Sequence, residues 1–184
     1  RKSLFRSSLN GADHGGTLMV KIKYLILALL IVMVGISATL LFSQSEERKV
    51  KKRFALLSEH VSKDSGENTF TMASKIKAIN TLFGENCDFT VSYYSLSGSY
   101  SREEVSGIAL RGRAHFSTLD LKFYDLKVSF PEQDLAQVNS TARLTGKSVY
   151  GERVDETREL TCLLKKIEKK WLFVRFEVIE VLKR

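Results

Sequence analysis

Apolar and polar positions divide the chain into three regimes. Residues 24–42, YLILALLIVMVGISATLLF, carry no charge. From about residue 46 to 115, apolar residues recur every three to four positions, as on one face of a helix. Val50, Phe54, Leu57 and Val61 form the first stripe, which SKDSGEN interrupts. Met72, Ile76, Ile79 and Phe83 form the second, widened by Ala73 and Leu82. Gly84 stands where a left-handed cap residue would end that helix. CDFTVSYYSLSGSYS then alternates and carries Gly98, which predicts a short strand and a turn. Ser101 and Glu104 have the S-x-x-E spacing of a capping box. They open a third helix with Val105, Ile108, Ala109 and Gly112 inward, ending near His115.

Beyond His115 the period becomes two. Residues 117–130 read as a long strand closed by Pro131. In 135–145, Ala136, Val138, Ser140, Ala142 and Leu144 face one way. In 156–167, Leu160, Cys162 and Leu164 face inward while Thr157, Glu159, Thr161, Leu163 and Lys165 face out. EKK makes a turn, and KKWLFVRFEVIEV is the final strand. This strand is apolar on both sides. Leu172, Val174, Phe176 and Val178 are expected inward, against the helices; Trp171, Phe173, Arg175, Glu177 and Ile179 are expected outward. Apolar surface of that size left in water invites association. The outer row is therefore expected to be covered by a second chain or by the domain's own N-terminal helix, with a ligand the least favoured cover. Helices first and a meander after predict an α+β fold, with about three helices packed on one face of a curved antiparallel sheet.

The uncharged run matches the ~20 residues that cross a bilayer core. Lys21 and Lys23 flank it, and Ser43 and Ser45 have the −3/−1 spacing of a cleavage site. The run is longer than the ~7–15 residues of a signal-peptide core, which favours an uncleaved anchor. Residue 1 is Arg, and Met19 follows the structureless GADHGGTL. Residues 1–18 are therefore read as an upstream extension, 19–45 as a signal-anchor and 46–184 as the domain. The basic N-terminal flank places the domain outside the cytoplasm, in the periplasm of a Gram-negative cell, as a single-pass membrane protein. Arg48, Lys49, Lys51, Lys52 and Arg53 lie just beyond the run. They read either as a patch for anionic lipid or as a solvated helical turn.

Composition adds exclusions. The net charge is +8, but residues 46–184 hold 24 basic and 20 acidic residues, a net of +4. No recognition motif or basic-aromatic stripe accompanies that excess, so nucleic acid is not an expected partner. Cys87 and Cys162 are too few for a disulfide framework; they form one bridge or remain two buried thiols. His14, His60 and His115 are far apart, without ligand spacing, and no metal or cofactor motif occurs.

Three stretches carry a family likeness. LFGENCDFTVSYY, GSYSREEVSGIAL and KKIEKKWLFVRFEV together resemble the nuclear transport factor 2-like superfamily, including its SnoaL-like domains. They are similar to that family's first strand after a helix ending in Leu-Phe, its capped third helix, and its terminal hairpin opened by a Trp. The resemblance spans about residues 48–182 and implies a cone-shaped, cystatin-like fold. It also implies an acid or base in the mouth of the cone, for which Tyr93, Tyr94, Asp88 and His115, with the pair Arg175 and Glu177, are the candidates. Tyrosine would donate to a carbonyl oxygen and His115 would act as general base. Each also has a plainer reading, as core, helix end or surface pair. The family contains both enzymes and binding modules, so its fold does not transmit an activity. The expected function is a membrane-anchored, non-enzymatic interaction module, with Trp171, Phe173, Arg175, Ile179 and Leu163 at an interface with a second copy or an assembly partner. The alternative is a small apolar ligand bound or transformed in the cone.

Overall fold

The computed structural model describes residues 29–33, 44–91 and 96–179. The chain divides into two compact units, Arg1–Ser45 and Glu46–Arg184. In the first, residues 29–33 are helical with exposed side chains. Among the described residues, no helix is long and apolar enough to cross a membrane. The remainder of the 24–42 run, together with Met19 and residues 1–18, lies outside the described residues.

The second unit holds the fold. Helix α1 covers 44–61 and buries the first apolar stripe, with Val50 and Phe54 wholly enclosed. Helix α2, Thr69–Asn80, starts at Asn68, whose Oδ1 accepts from the Thr71 N–H at 2.8 Å. It ends at Thr81, earlier than expected. Phe83 and Gly84 instead begin strand β1, Phe83–Val91, which is followed by β2, Leu96–Ser101. Helix α3, Arg102–His115, opens on the complete Ser101–Glu104 capping box. Its inner face departs from expectation, because Gly112 is exposed and Arg113 is buried.

Arg113 has a structural task. Its Nη1 donates to the carbonyl oxygens of His60 at 2.6 Å, Val61 at 2.6 Å and Ser62 at 2.7 Å. The first two belong to the last turn of α1, whose carbonyls have no partner within that helix, and Ser62 follows it. Its Nη2 pairs with Glu67, which also binds Lys75 at 2.8 Å. One guanidinium thus fastens α3 to the exit of α1 and to the loop before α2.

Strands β3, Phe116–Glu132, β4, Leu135–Ser148, β5, Arg153–Ile167, and β6, Lys170–Ile179, complete the sheet. Its order is β2-β1-β6-β5-β4-β3. After the β1–β2 hairpin, α3 carries the chain to the far edge, and the meander β3 to β6 returns. It arrives alongside β1 in the same direction, so this one pairing is parallel. The sheet is therefore mixed rather than wholly antiparallel.

The two-sided apolar strand has a local explanation. Leu164 pairs with Phe173 but Leu163 pairs with Arg175, so Val174 is an extra residue in β6. Such a bulge reverses the side on which every later residue falls. Trp171 and Phe173 before it, and Phe176 after it, all enter one core. Leu172 then falls outward with Arg175, Glu177 and Ile179, opposite its expected side. Gly84 has its role here, not at a helix cap: a Cβ on it would lie 3.2 Å from Val174 Cγ1. Trp171 and Phe173, expected at an interface, are 2% and 0% exposed. Their cover is α1: Phe54 meets the Phe173 ring edge-on at 5.0 Å, and Glu46 Oε2 accepts from Trp171 Nε1 at 2.7 Å.

Candidate functional site

The helix-side face of the sheet is closed at one end and open at the other. At the closed end Ala136, Val138, Cys162, Leu164 and Phe173 are fully buried. One cross-strand row there runs Phe89–Phe176–Cys162–Val138. The next row is Val91–Val178–Leu160–Ser140, and in it Val91, Val178 and Leu160 are only half-buried. Beyond it Ala142 stands opposite Arg158, and Leu144 opposite Glu156. Arg158 and Glu156 pair at 3.2 Å and mark the rim. The site is therefore an apolar floor and wall with one ion pair at its edge.

Aromatic rings build the floor. Phe89 stacks on Phe176 at 5.4 Å with an interplanar angle of 7°. Tyr100 meets Phe89 edge-on at 5.8 Å, bringing β2 to the wall. In the Val91–Val178–Leu160–Ser140 row the polar member is Ser140. It is buried, and its Oγ has no hydrogen-bond partner among the described residues. A hydroxyl so placed costs about 1–3 kcal/mol until something bonds to it. The thiols are not chemically poised. Both are free and buried, and burial pushes Cys87 up to about 12, with the Asp88 charge adding to the effect. Burial raises Cys162 likewise. Neither is a thiolate at neutral pH.

Of the pocket candidates, Asp88 and His115 lie elsewhere. Asp88 points away from the site, because its neighbour Cys87 takes the inward position. It faces Arg175 at 3.4 Å on the outer face, so Arg175 pairs across strands rather than with Glu177. His115 is exposed at the end of α3 and packs edge-on against Phe116 and Tyr150. Tyr93 and Tyr94 lie outside the described residues. Of the interface candidates, Leu163, Arg175 and Ile179 do share the outer face. Ile179 there borders an open depression of about 640 Å³ with Lys127, Asn139 and Glu159. Of the basic cluster, Lys49 and Lys51 pair with Glu46 and Glu47. Among the described residues no group of three or more His, Cys, Asp or Glu is arranged to hold a metal.

The Arg158–Glu156 rim was overlooked in the sequence, although a signal for it exists. Both occupy the parity of Leu160, Cys162 and Leu164, so charge appears on the apolar side of β5. Arg113 carries no comparable local signal, since its partners are 46 to 53 residues away.

The fold has clear relatives among solved structures. A proposed aromatic ring hydroxylase from Novosphingobium aromaticivorans superposes with a TM-score of 0.64 at 16% identity, over 76% of this chain and 91% of that one. A proposed dehydratase from the NTF2-like family of Streptomyces avermitilis gives 0.59 at 14%, over 77% and 99%. A hexachlorocyclohexane dehydrochlorinase, LinA Type2, gives 0.59 at 9%, over 76% and 87%. No protein-family model and no curated protein matches the chain by sequence. The likeness establishes the cone-type α+β fold and stops there.

Proposed function

We propose that residues 46–184 bind a small, largely apolar molecule at the open end of the helix-side face. In this reading residues 24–42 anchor the unit, and it lies on the extracytoplasmic side. The observation that carries the proposal is the unpartnered, buried Ser140 hydroxyl in an otherwise apolar row. Apolar sites take orientation from a few placed polar groups, and Ser140 is such a group. The ligand would pack on Phe89, Val91, Leu160 and Val178 and exchange a hydrogen bond with Ser140. The similar structures include one named for hexachlorocyclohexane, itself a small apolar molecule. Binding is favoured over reaction because, among the described residues, the charged groups on this face near the opening, Arg158 and Glu156, are paired with each other. The interaction-module reading keeps only Leu163, Arg175 and Ile179 as outer-face contacts, since Trp171 and Phe173 are core.

A neutral fluorescent probe, N-phenyl-1-naphthylamine, tests this with residues 46–184, which contain the whole core and sheet. Saturable binding by a monomer is expected, weakened at least about tenfold by Leu160→Trp, which fills the opening. Absence of saturable binding, or binding unmoved by Leu160→Trp, sinks the reading.

A further inference from the structure

The β5–β6 turn brings a second set of cations to α1. Lys169 and Lys170 from the turn meet Lys49, Lys52 and Arg53 from α1 around a notch of about 280 Å³, floored by Leu56 and Trp171. The two sets are more than 110 residues apart in sequence and adjacent in space. Lys49 is committed to Glu46 at 2.7 Å, and Glu46 also holds Lys166 at 3.0 Å. Glu168, the acidic residue of the turn, is exposed. Among the described residues, Lys52, Arg53, Lys169 and Lys170 make no ion pair. Burial pulls the Arg53 guanidinium down from its ordinary value, so this cation is partly removed from water. Lys169 is moreover held at φ 65°, a backbone state that a non-glycine residue enters at a cost.

We propose that this notch docks on the headgroups of anionic lipid, seating the turn and the first half of α1 on the membrane surface. Charge complementarity selects the anion. The position along the chain selects the membrane, because Lys49 follows the end of the uncharged run 24–42 by seven residues. At ~1.5 Å per residue, Lys49 to Arg53 lie roughly 8–14 Å along the helix from Gln44. That is comparable to the ~8–10 Å over which surface charge is felt at physiological salt. The choice of a membrane over a soluble anion rests on the anchor reading above, and the test separates the two.

Trp171 lines the notch and is the chain's single tryptophan, so its fluorescence reports on this place alone. The full chain is placed in phosphatidylcholine bilayers, with or without about a third phosphatidylglycerol, each carrying a headgroup spin-labelled lipid as quencher. Quenching is expected to rise at least about twofold with the anionic lipid and to fall back in Lys52→Glu/Lys169→Glu/Lys170→Glu. Equal quenching in both bilayers overturns the proposal. So does a Trp171 response to soluble inorganic phosphate that matches the response to lipid. Alkaline carbonate extraction reports on the anchor independently. A chain that is extracted, yet quenched only by anionic bilayers, loses the anchor and keeps the notch.

Discussion

Glu46 is a carboxylate 4% exposed with three donors around it: Lys49, Lys166 and Trp171. Burial alone would raise its pKa. The hydrogen bonds from Lys49, Lys166 and Trp171, and the Lys166 charge, outweigh burial and hold it at about 2, against an ordinary 4.5. The folded value lies below the unfolded one. The resulting stability, on the order of 3 kcal/mol, is therefore complete above about pH 4.5 and lost as pH falls toward 2. Urea unfolding of the wild type is expected to weaken across that window. Glu46→Gln should be less stable at pH 7 and lose less on acidification; parallel curves for the two proteins would refute this role. The sequence does not show this residue's importance. Its tryptophan partner lies 125 residues away, and helical periodicity reports only which neighbours share a face. Ser140 was readable as inward-facing from alternation. That its hydroxyl lacks a partner depends on what β3 and β5 place beside it.

Element periods were the dependable part of the sequence. The first helix stripe, the capping box at Ser101 and the inward rows of β4 and β5 stand where the sequence puts them, while the second stripe loses Phe83 to β1 and the third gives Gly112 to solvent. Alternation misplaces the part of β6 before Val174, because a count by twos cannot register one inserted residue. That count alone puts Trp171 and Phe173 in an outer patch. The bulge makes a direct prediction. Deleting Val174 leaves Trp171, Phe173, Phe176 and Val178 on alternate positions, all still inward, and keeps every pairing with β5. That variant should retain a cooperative unfolding transition by circular dichroism. Deleting Leu172 instead moves Trp171 to the outward position opposite Lys165, and it should lose the about 3–5 kcal/mol that removing a core aromatic costs. Equal stability of the two deletion variants would refute this account of the bulge. By the same logic Trp171→Ala with Phe173→Ser should unfold the monomer outright rather than change its association.

At the scale of the whole unit, the helices-then-meander order was visible in the sequence, but the parallel β1–β6 contact was not. No local pattern announces which strand the meander will meet on its return. That contact makes β6 the joint between the β1–β2 hairpin and the meander, with a neighbour on each side. A chain ended after Ile167 should therefore give no two-state transition in urea, while trimming the exposed tip of α2 at Phe70 to Ser should be nearly silent. A cooperative transition in the shortened chain would mean that β3, β4 and β5 hold a core without their bridge. The same arrangement bears on synthesis. Strand β1 waits for a neighbour made some eighty residues later, so the sheet stays open on the ribosome until β6 has emerged. A domain that closes this late remains threadable for nearly its whole production, which is the condition a chain must meet to pass through a translocation channel before it folds.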